Sequence, residues 1–249
     1  MHDLADLRDK FSGKCVYVIG NGPSLSRTPM DMLIGDYSIA MNRIAAIYEQ
    51  TKWRPDFFVC TTTNVRKPDW HKDIMRTIDQ GIVTFAWDQL RENIGEKNNI
   101  YYLNCTHGSE TTDEPQLEWW SDDVSERVCK YGTSMLVAMQ IAFYLGFGEI
   151  YIVGADLGFT DSIFTKLFKR AGMNKIAQLF DKNHFFPGYG SPGASAEYFN
   201  RNMTAAHQLI KKVADRKKIK IYNATLGGNL NVYPRVDFTC TTKEEIPTI

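Results

Sequence analysis

The sequence has no charge of either sign to spare: 29 Lys and Arg are matched by 29 Asp and Glu in 249 residues. That balance excludes a broad electrostatic grip on nucleic acid, leaving room only for a local basic patch, and no nucleic-acid partner is expected. Cysteine is scarce and spaced without pattern. Cys15, Cys60, Cys105, Cys129 and Cys240 are odd in number and include no C-x-x-C pair. No zinc site is suggested, and reduced, buried thiols of a cytosolic protein are the natural reading. No run approaches the roughly 20 apolar residues that span a bilayer. Met1 to Lys14 is patterned as a short amphipathic helix with Leu4 and Leu7 on one side, not as a signal peptide. A cytoplasmic location, admitting the inner face of the membrane, is therefore expected, and the sequons at Asn202 and Asn223 carry no weight. Both common phosphate fingerprints are missing too. G-x-G-x-x-G would need a glycine at Leu25, and a P-loop would need Gly-Lys-Ser/Thr at the helix start. Internal repeats, low-complexity segments and linkers are lacking, so residues 1–249 are read as a single domain.

What is present begins with Cys15-Val-Tyr-Val-Ile19, a short apolar run of strand type, breaking into Gly20-Asn21-Gly22-Pro23-Ser24-Leu25. Glycines at a strand end let backbone N–H groups approach an anion, and Ser24 can cap the element that follows. Taken alone, the motif fits a structural turn as well as a phosphate loop. Further strands are predicted at Tyr37 to Met41, Asp56 to Cys60, Ile82 to Ala86, Ile100 to Leu103, Glu149 to Val153 and Ile219 to Tyr222. Helices are predicted at Ile44 to Thr51, Trp70 to Asp79, Met135 to Leu145 and Ala194 to Ala214. This alternation defines an α/β, Rossmann-like fold, a mostly parallel sheet with helices on both faces.

Polar residues recur where the strands end. Asn42, the Thr61 to Asn64 cluster and Asp156 fall at the carboxyl edge of the sheet, where open α/β folds bind ligands. Thr133 and Ser134 open an almost uniformly apolar helix, a second helix start suited to an anion. Asp156 can bind a metal, hydrogen-bond a ribose or cap a backbone turn. Thr106 to Asp123 lacks periodicity and reads as a surface excursion anchored by Trp119-Trp120. From about 159 to 192, apolar residues alternate with Lys166, Lys169, Arg170 and Lys175, as in a helical lid insertion. Its basic face is either solvated or a peripheral contact with a membrane or an anionic acceptor. The lid closes on Asn183-His184-Phe185, the one histidine in a motif, with Tyr189 after it.

The order Gly20-Asn-Gly-Pro-Ser-Leu25, Ala40-Met41-Asn42, Thr133-Ser134, Glu149-Ile-Tyr-Ile-Val-Gly-Ala-Asp156 and Asn183-His184 resembles the bacterial lipooligosaccharide sialyltransferases. It equally resembles proteins like the archaeal 6-hydroxymethylpterin diphosphokinase. The likeness runs from Lys14 to about Tyr222. The sialyltransferase resemblance implies a cytidine monophosphate (CMP) sugar over the Gly20-Asn21-Gly22 loop, Ser24, Asn42, Thr133 and Ser134, with His184 as general base. After the third strand Thr61, Thr62 and Asn64 compete for the matching role, Asn64 being the candidate taken, and Asp156 is a further nucleotide-side candidate. Where those enzymes carry two tyrosines on the leaving phosphate, this chain has Gly158 and Phe164, with Tyr189 or Lys166 as candidate replacements. Their arginine before Thr-Ser corresponds to Tyr131, with Lys130 adjacent.

The expected function is thus a metal-independent glycosyltransferase that needs no cofactor beyond its donor. It would move an acidic sugar from CMP to a glycan or glycolipid hydroxyl. A His titrating near neutrality suits removal of that hydroxyl's proton. The alternatives are a diphosphokinase using ATP and Mg²⁺, which would want more carboxylates than Asp156 alone, and a non-catalytic nucleotide-binding module. A homo-oligomer is compatible with each.

Overall fold

The computed structural model describes residues 3–108, 116–180, 182–186, 189 and 196–241. The expected lid at 181, 187, 188 and 190–192, the excursion at 109–115 and the helix start at 194–195 lie outside these residues. In chain order the regular elements are β1 (Cys15–Ile19), β2 (Ser38–Met41), β3 (Phe57–Cys60), α1 (Pro68–Ile78), β4 (Val83–Trp87) and α2 (Arg91–Ile94). There follow β5 (Ile100–Leu103), β6 (Cys105–His107), β7 (Val128–Lys130), α3 (Ser134–Tyr144) and β8 (Glu149–Val153). The chain continues through α4 (Ile163–Arg170), α5 (Asn174–Leu179), α6 (Ala196–Lys217) and β9 (Lys220–Asn223).

Seven strands form one sheet in the order β5-β4-β3-β2-β1-β8-β9, and every neighbouring pair is parallel. Helices surround it, so the fold is α/β and Rossmann-like. The chain steps outward from β1 to β5, then returns to the other side of β1 at β8. The carboxyl ends of β1 and β8 therefore flank the point where strand order reverses, the usual ligand crevice of such sheets. The strands are apolar throughout because both sheet faces are covered. Val16, Val18, Ile19, Ile39, Phe58, Val59, Ile150 and Ile152 belong to one continuous core. Helix α3 packs across β1, β2 and β3, which is why its apolar residues run round its circumference.

Three local expectations are corrected. Ile44 to Thr51 is not an α-helix but a short 3-10 turn, Ile44–Ile47. The Arg54 guanidinium holds the carbonyls of Thr51 and Trp53, and the Asp31 carboxylate accepts from the N–H groups of Lys52 and Trp53. These local bonds turn the chain where a helix would continue. The N-terminal helix is likewise a 3-10 turn, Leu4–Leu7. The excursion near Thr106 carries a strand, since β6 pairs in parallel with β7 in a second, two-stranded sheet. Gln140 ties this sheet to α3. Its amide oxygen accepts from Ser121 N and Cys129 N at 3.0 Å each, and its amide nitrogen donates to Cys129 O at 2.8 Å. Trp119 and Trp120 are buried against Tyr131 and Phe143, a packing role.

Candidate functional site

The crevice wall is built where β1 and β8 run out of side chains. Gly20 N donates to Val153 O at 2.7 Å and Gly22 N to Gly154 O at 2.8 Å, so the two strand ends are laced together. A Cβ on Gly20 would sit 2.4 Å from Gly154 O, and one on Gly22 would sit 2.0 Å from Asp156 Oδ2. The glycines are therefore required by close approach of the β8 end.

That approach also decides what Asp156 does. Its Oδ2 accepts from Ser24 Oγ at 2.7 Å, and both carboxylate oxygens lie 3.2–3.3 Å from Ser24 N. The carboxylate thus occupies the start of the 3-10 helix Pro23–Arg27, the position the sequence left open for a ligand anion. Burial raises the Asp156 pKa, against the hydrogen bonds from Ser24. Ser24 is fully buried behind this wall and does not line the cleft.

Gly20, Asn21, Gly22, Asn42, Asn64, Thr133, Ser134, Asp156, His184 and Tyr189 line one cleft of about 380 Å³. Asn21 Nδ2 donates to Met41 O at 3.0 Å, while its buried Oδ1 has no partner among the described residues. Asn42 ends β2 with a φ of 55°, a left-handed conformation that Asn tolerates better than most residues. Its Nδ2 donates to Ser134 Oγ at 3.2 Å. Thr133 caps α3, its Oγ1 accepting from Met135 N at 3.2 Å. Ser134 Oγ, accepting from Asn42, keeps its own proton to donate.

His184 is held against the opposite side of this wall. Phe185 N donates to Asn21 O at 3.2 Å, which pins the histidine turn to the glycine loop. The imidazole stacks on Tyr189 at 4.0 Å and 16° and meets the Phe159 ring edge-on at 5.6 Å. Tyr189 packs on Trp70 at 5.0 Å, and burial pushes its phenol pKa up. Two amide clips hold the base of the lid. Asn183 exchanges hydrogen bonds with the Thr160 backbone at 2.8 and 3.0 Å, and Asn200 does so with Phe159 at 2.7 and 2.9 Å.

Of the two candidate replacements for the missing phosphate ligands, Tyr189 lines the cleft and Lys166 does not. Lys166 lies on a separate depression beside α6, and Phe164 is exposed. Lys130 donates to Thr61 O at 2.6 Å and its Nζ lies 3.4 Å over the Trp87 ring, so that cation is already committed. Its burial lowers its pKa to about 8. Gly158 has a φ of 78°, and a Cβ there would meet the Asn229 side chain at 2.1 Å, which leaves no place for a tyrosine.

His207 is a cleft residue the sequence did not single out. Phe199, Met203 and His207 recur four apart on α6 and line the cleft, a period legible in the sequence but masked by the core face beside it. Tyr233 OH donates to His207 O at 3.1 Å and lies 3.1 Å from Nδ1, so Nδ1 carries the proton and Nε2 the lone pair. Burial lowers the His207 pKa to about 4.

The cleft offers little to a divalent cation. Asp156 is engaged by Ser24 and Asp161 by Lys169 at 3.0 Å. Among the described residues no three His, Cys, Asp or Glu side chains converge.

The fold and cleft define an open α/β protein with a cleft at the carboxyl ends of its central strands. The chain belongs to the MptE-like family, described as 6-hydroxymethylpterin diphosphokinase MptE-like, whose model matches residues 1–162. No curated protein matches it by sequence. Among solved structures it is similar to the MAf glycosyltransferase from Magnetospirillum magneticum AMB-1, at 13% identity and a TM-score of 0.52, covering 97% of this chain. The chain spans 38% of that protein's length. It is also similar to the sialyltransferase CST-II solved with a trisaccharide acceptor and CMP, at 12% identity and a TM-score of 0.49, covering 90% of this chain and 86% of the other. At these identities the likeness is one of fold.

Proposed function

We propose that the protein is a glycosyltransferase that moves an acidic sugar from a CMP-activated donor to a glycan hydroxyl, with His184 as general base. The observation carrying this reading is that His184 is pinned to the glycine loop and lines the same cleft as neutral donors, while both cleft carboxylates are engaged by the protein. In this mechanism the acceptor hydroxyl gives its proton to His184 as its oxygen bonds to the anomeric carbon. The bond from that carbon to the phosphate oxygen breaks, and CMP leaves with the electron pair. Thr133, the Ser134 hydroxyl and the start of α3 face the departing phosphate and stabilise its charge. The open acceptor Asn21 Oδ1 suits a ribose hydroxyl rather than a phosphate, since its amide nitrogen is spent on Met41 O.

A thermal-shift series with CMP in EDTA tests the binding half of this proposal, and a rise in melting temperature is expected. His184→Gln should keep that rise while lowering donor turnover about 10²–10⁴-fold, the usual contribution of a general base. The family's description favours a second reading, pyrophosphoryl transfer from ATP to a pterin alcohol. Stabilisation by ATP with Mg²⁺ and none by CMP would establish that reading and overturn the first.

A further inference from the structure

The two helices of the lid are two-faced. Thr165 and Ala177 are buried and, with Lys169, line the cleft. The other side of the hairpin gathers Ile163, Phe164, Leu167, Met173, Leu179 and Phe180, all exposed, with Ile163 at 83% and Leu179 at 66%. Elsewhere among the described residues only Met32, Ile34 and Tyr37 are large, apolar and exposed. Packing within the hairpin does not consume the patch. Phe180 stacks on Phe164 and Phe168 at 5.5 Å each, and Phe164 remains 59% exposed after doing so. A contiguous apolar patch of this kind marks an interaction surface.

Charge identifies the partner. Between Ser162 and Phe180, with Asp161 and Asp181 just outside, there is no Asp or Glu, while Lys166, Lys169, Arg170 and Lys175 all fall in this segment of a chain without net charge. Lys169 is turned to Asp161, and Lys166 and Arg170 are exposed. Aromatic and aliphatic side chains bordered by exposed cations are the chemistry of an element lying in the interface of an anionic bilayer. We propose that the outer face of α4 and α5 docks on an anionic lipid surface. The apolar side chains enter the boundary between headgroups and acyl chains, and Lys166 and Arg170 meet the lipid phosphates. Docking would set the cleft, on the inner side of the same hairpin, directly beneath that surface.

Flotation of the full chain with vesicles tests this. The protein should float with phosphatidylcholine vesicles containing phosphatidylglycerol, stay behind with pure phosphatidylcholine, and be released by salt. Leu167→Ser and, separately, Arg170→Glu should each lower partitioning about fivefold or more, with unchanged melting temperatures confirming that both variants fold. Absence of flotation with either vesicle overturns the proposal. So does equal binding to both, which would remove the role of charge. A concentration-dependent dimer in sedimentation that Leu167→Ser disperses, without vesicle binding, would assign the patch to a second copy of the chain instead.

Discussion

Replacing His207 by Asn should flatten the acid limb of the protein's stability curve. His207 is buried at the cleft end of α6 with its Nδ1 proton on Tyr233, and burial lowers its pKa from 6.5 to about 4. A histidine with a depressed folded pKa is held neutral by the native state, so the unfolded chain binds the proton first as pH falls. Stability from this group is complete above 6.5 and is lost as pH drops from 6.5 towards 4. At about 1.4 kcal/mol per pH unit, that interval amounts to roughly 3 kcal/mol, of which about 2 kcal/mol is gone by pH 5. The assay is urea denaturation of wild type and His207→Asn at pH 7.5 and pH 5, comparing the stability lost between the two conditions. Other groups shifted by burial, Asp56 and Asp156 among them, are common to both proteins and cancel in the comparison. Wild type should lose about 2 kcal/mol more than the variant. Equal losses would mean that His207 is solvated or already charged in the folded protein, and the reasoning from its burial would fail.

The glycine wall and its anchor make two further predictions. Gly20→Ala should destabilise by about 3 kcal/mol or more, because the new methyl meets the backbone oxygen of Gly154 across two laced strand ends. Gly148→Ala, where nothing lies within 4 Å, should be nearly neutral in the same denaturation assay. Ser24→Ala removes the 2.7 Å donor to Asp156 Oδ2 and should cost about 1–3 kcal/mol at neutral pH. The loss should shrink in acid, once the carboxyl is protonated and no longer depends on that donor. A cost that is the same at both pH values would show that Asp156 is not held as an anion there.

How much of this was legible depended on the range of the interaction that decides it. The strands of the main sheet announced themselves because both faces are buried, so Cys15–Ile19 and Glu149–Val153 read as apolar runs without any partner in view. That Asn42, Asp156 and the glycine loop share the carboxyl edge followed from their place after those runs, whereas the strand order that makes this edge a switch point did not. What Asp156 touches could not follow, since Ser24 lies 132 residues away and their contact depends on how two strand ends meet. The same holds for β6 and β7, three residues each, of which β7 is held by Gln140 on a helix further along. Local bonding misled in the opposite direction at Ile44 to Thr51, where helical spacing yields to the guanidinium of Arg54. His207 went unnoticed because its α6 stripe runs next to a stronger apolar one, and nothing in sequence shows that Tyr233 completes its pairing.

The paired amide clips give the lid a mechanical character. Asn183, from the far end of the hairpin, and Asn200, from the first turns of α6, grip the consecutive peptide units of Thr160 and Phe159. Phe159 and Thr160, within the loop from β8 to α4, thus serve as a common axle on which two other segments are mounted. The hairpin cannot swing away from the cleft by bending the loop before α4 alone without straining these clips. It must either shear two bonds of one clip together or turn about that axle and carry the His184 turn with it. The clips thus tie the hairpin and the His184 turn to one short stretch of backbone, so that neither is displaced without loading the other.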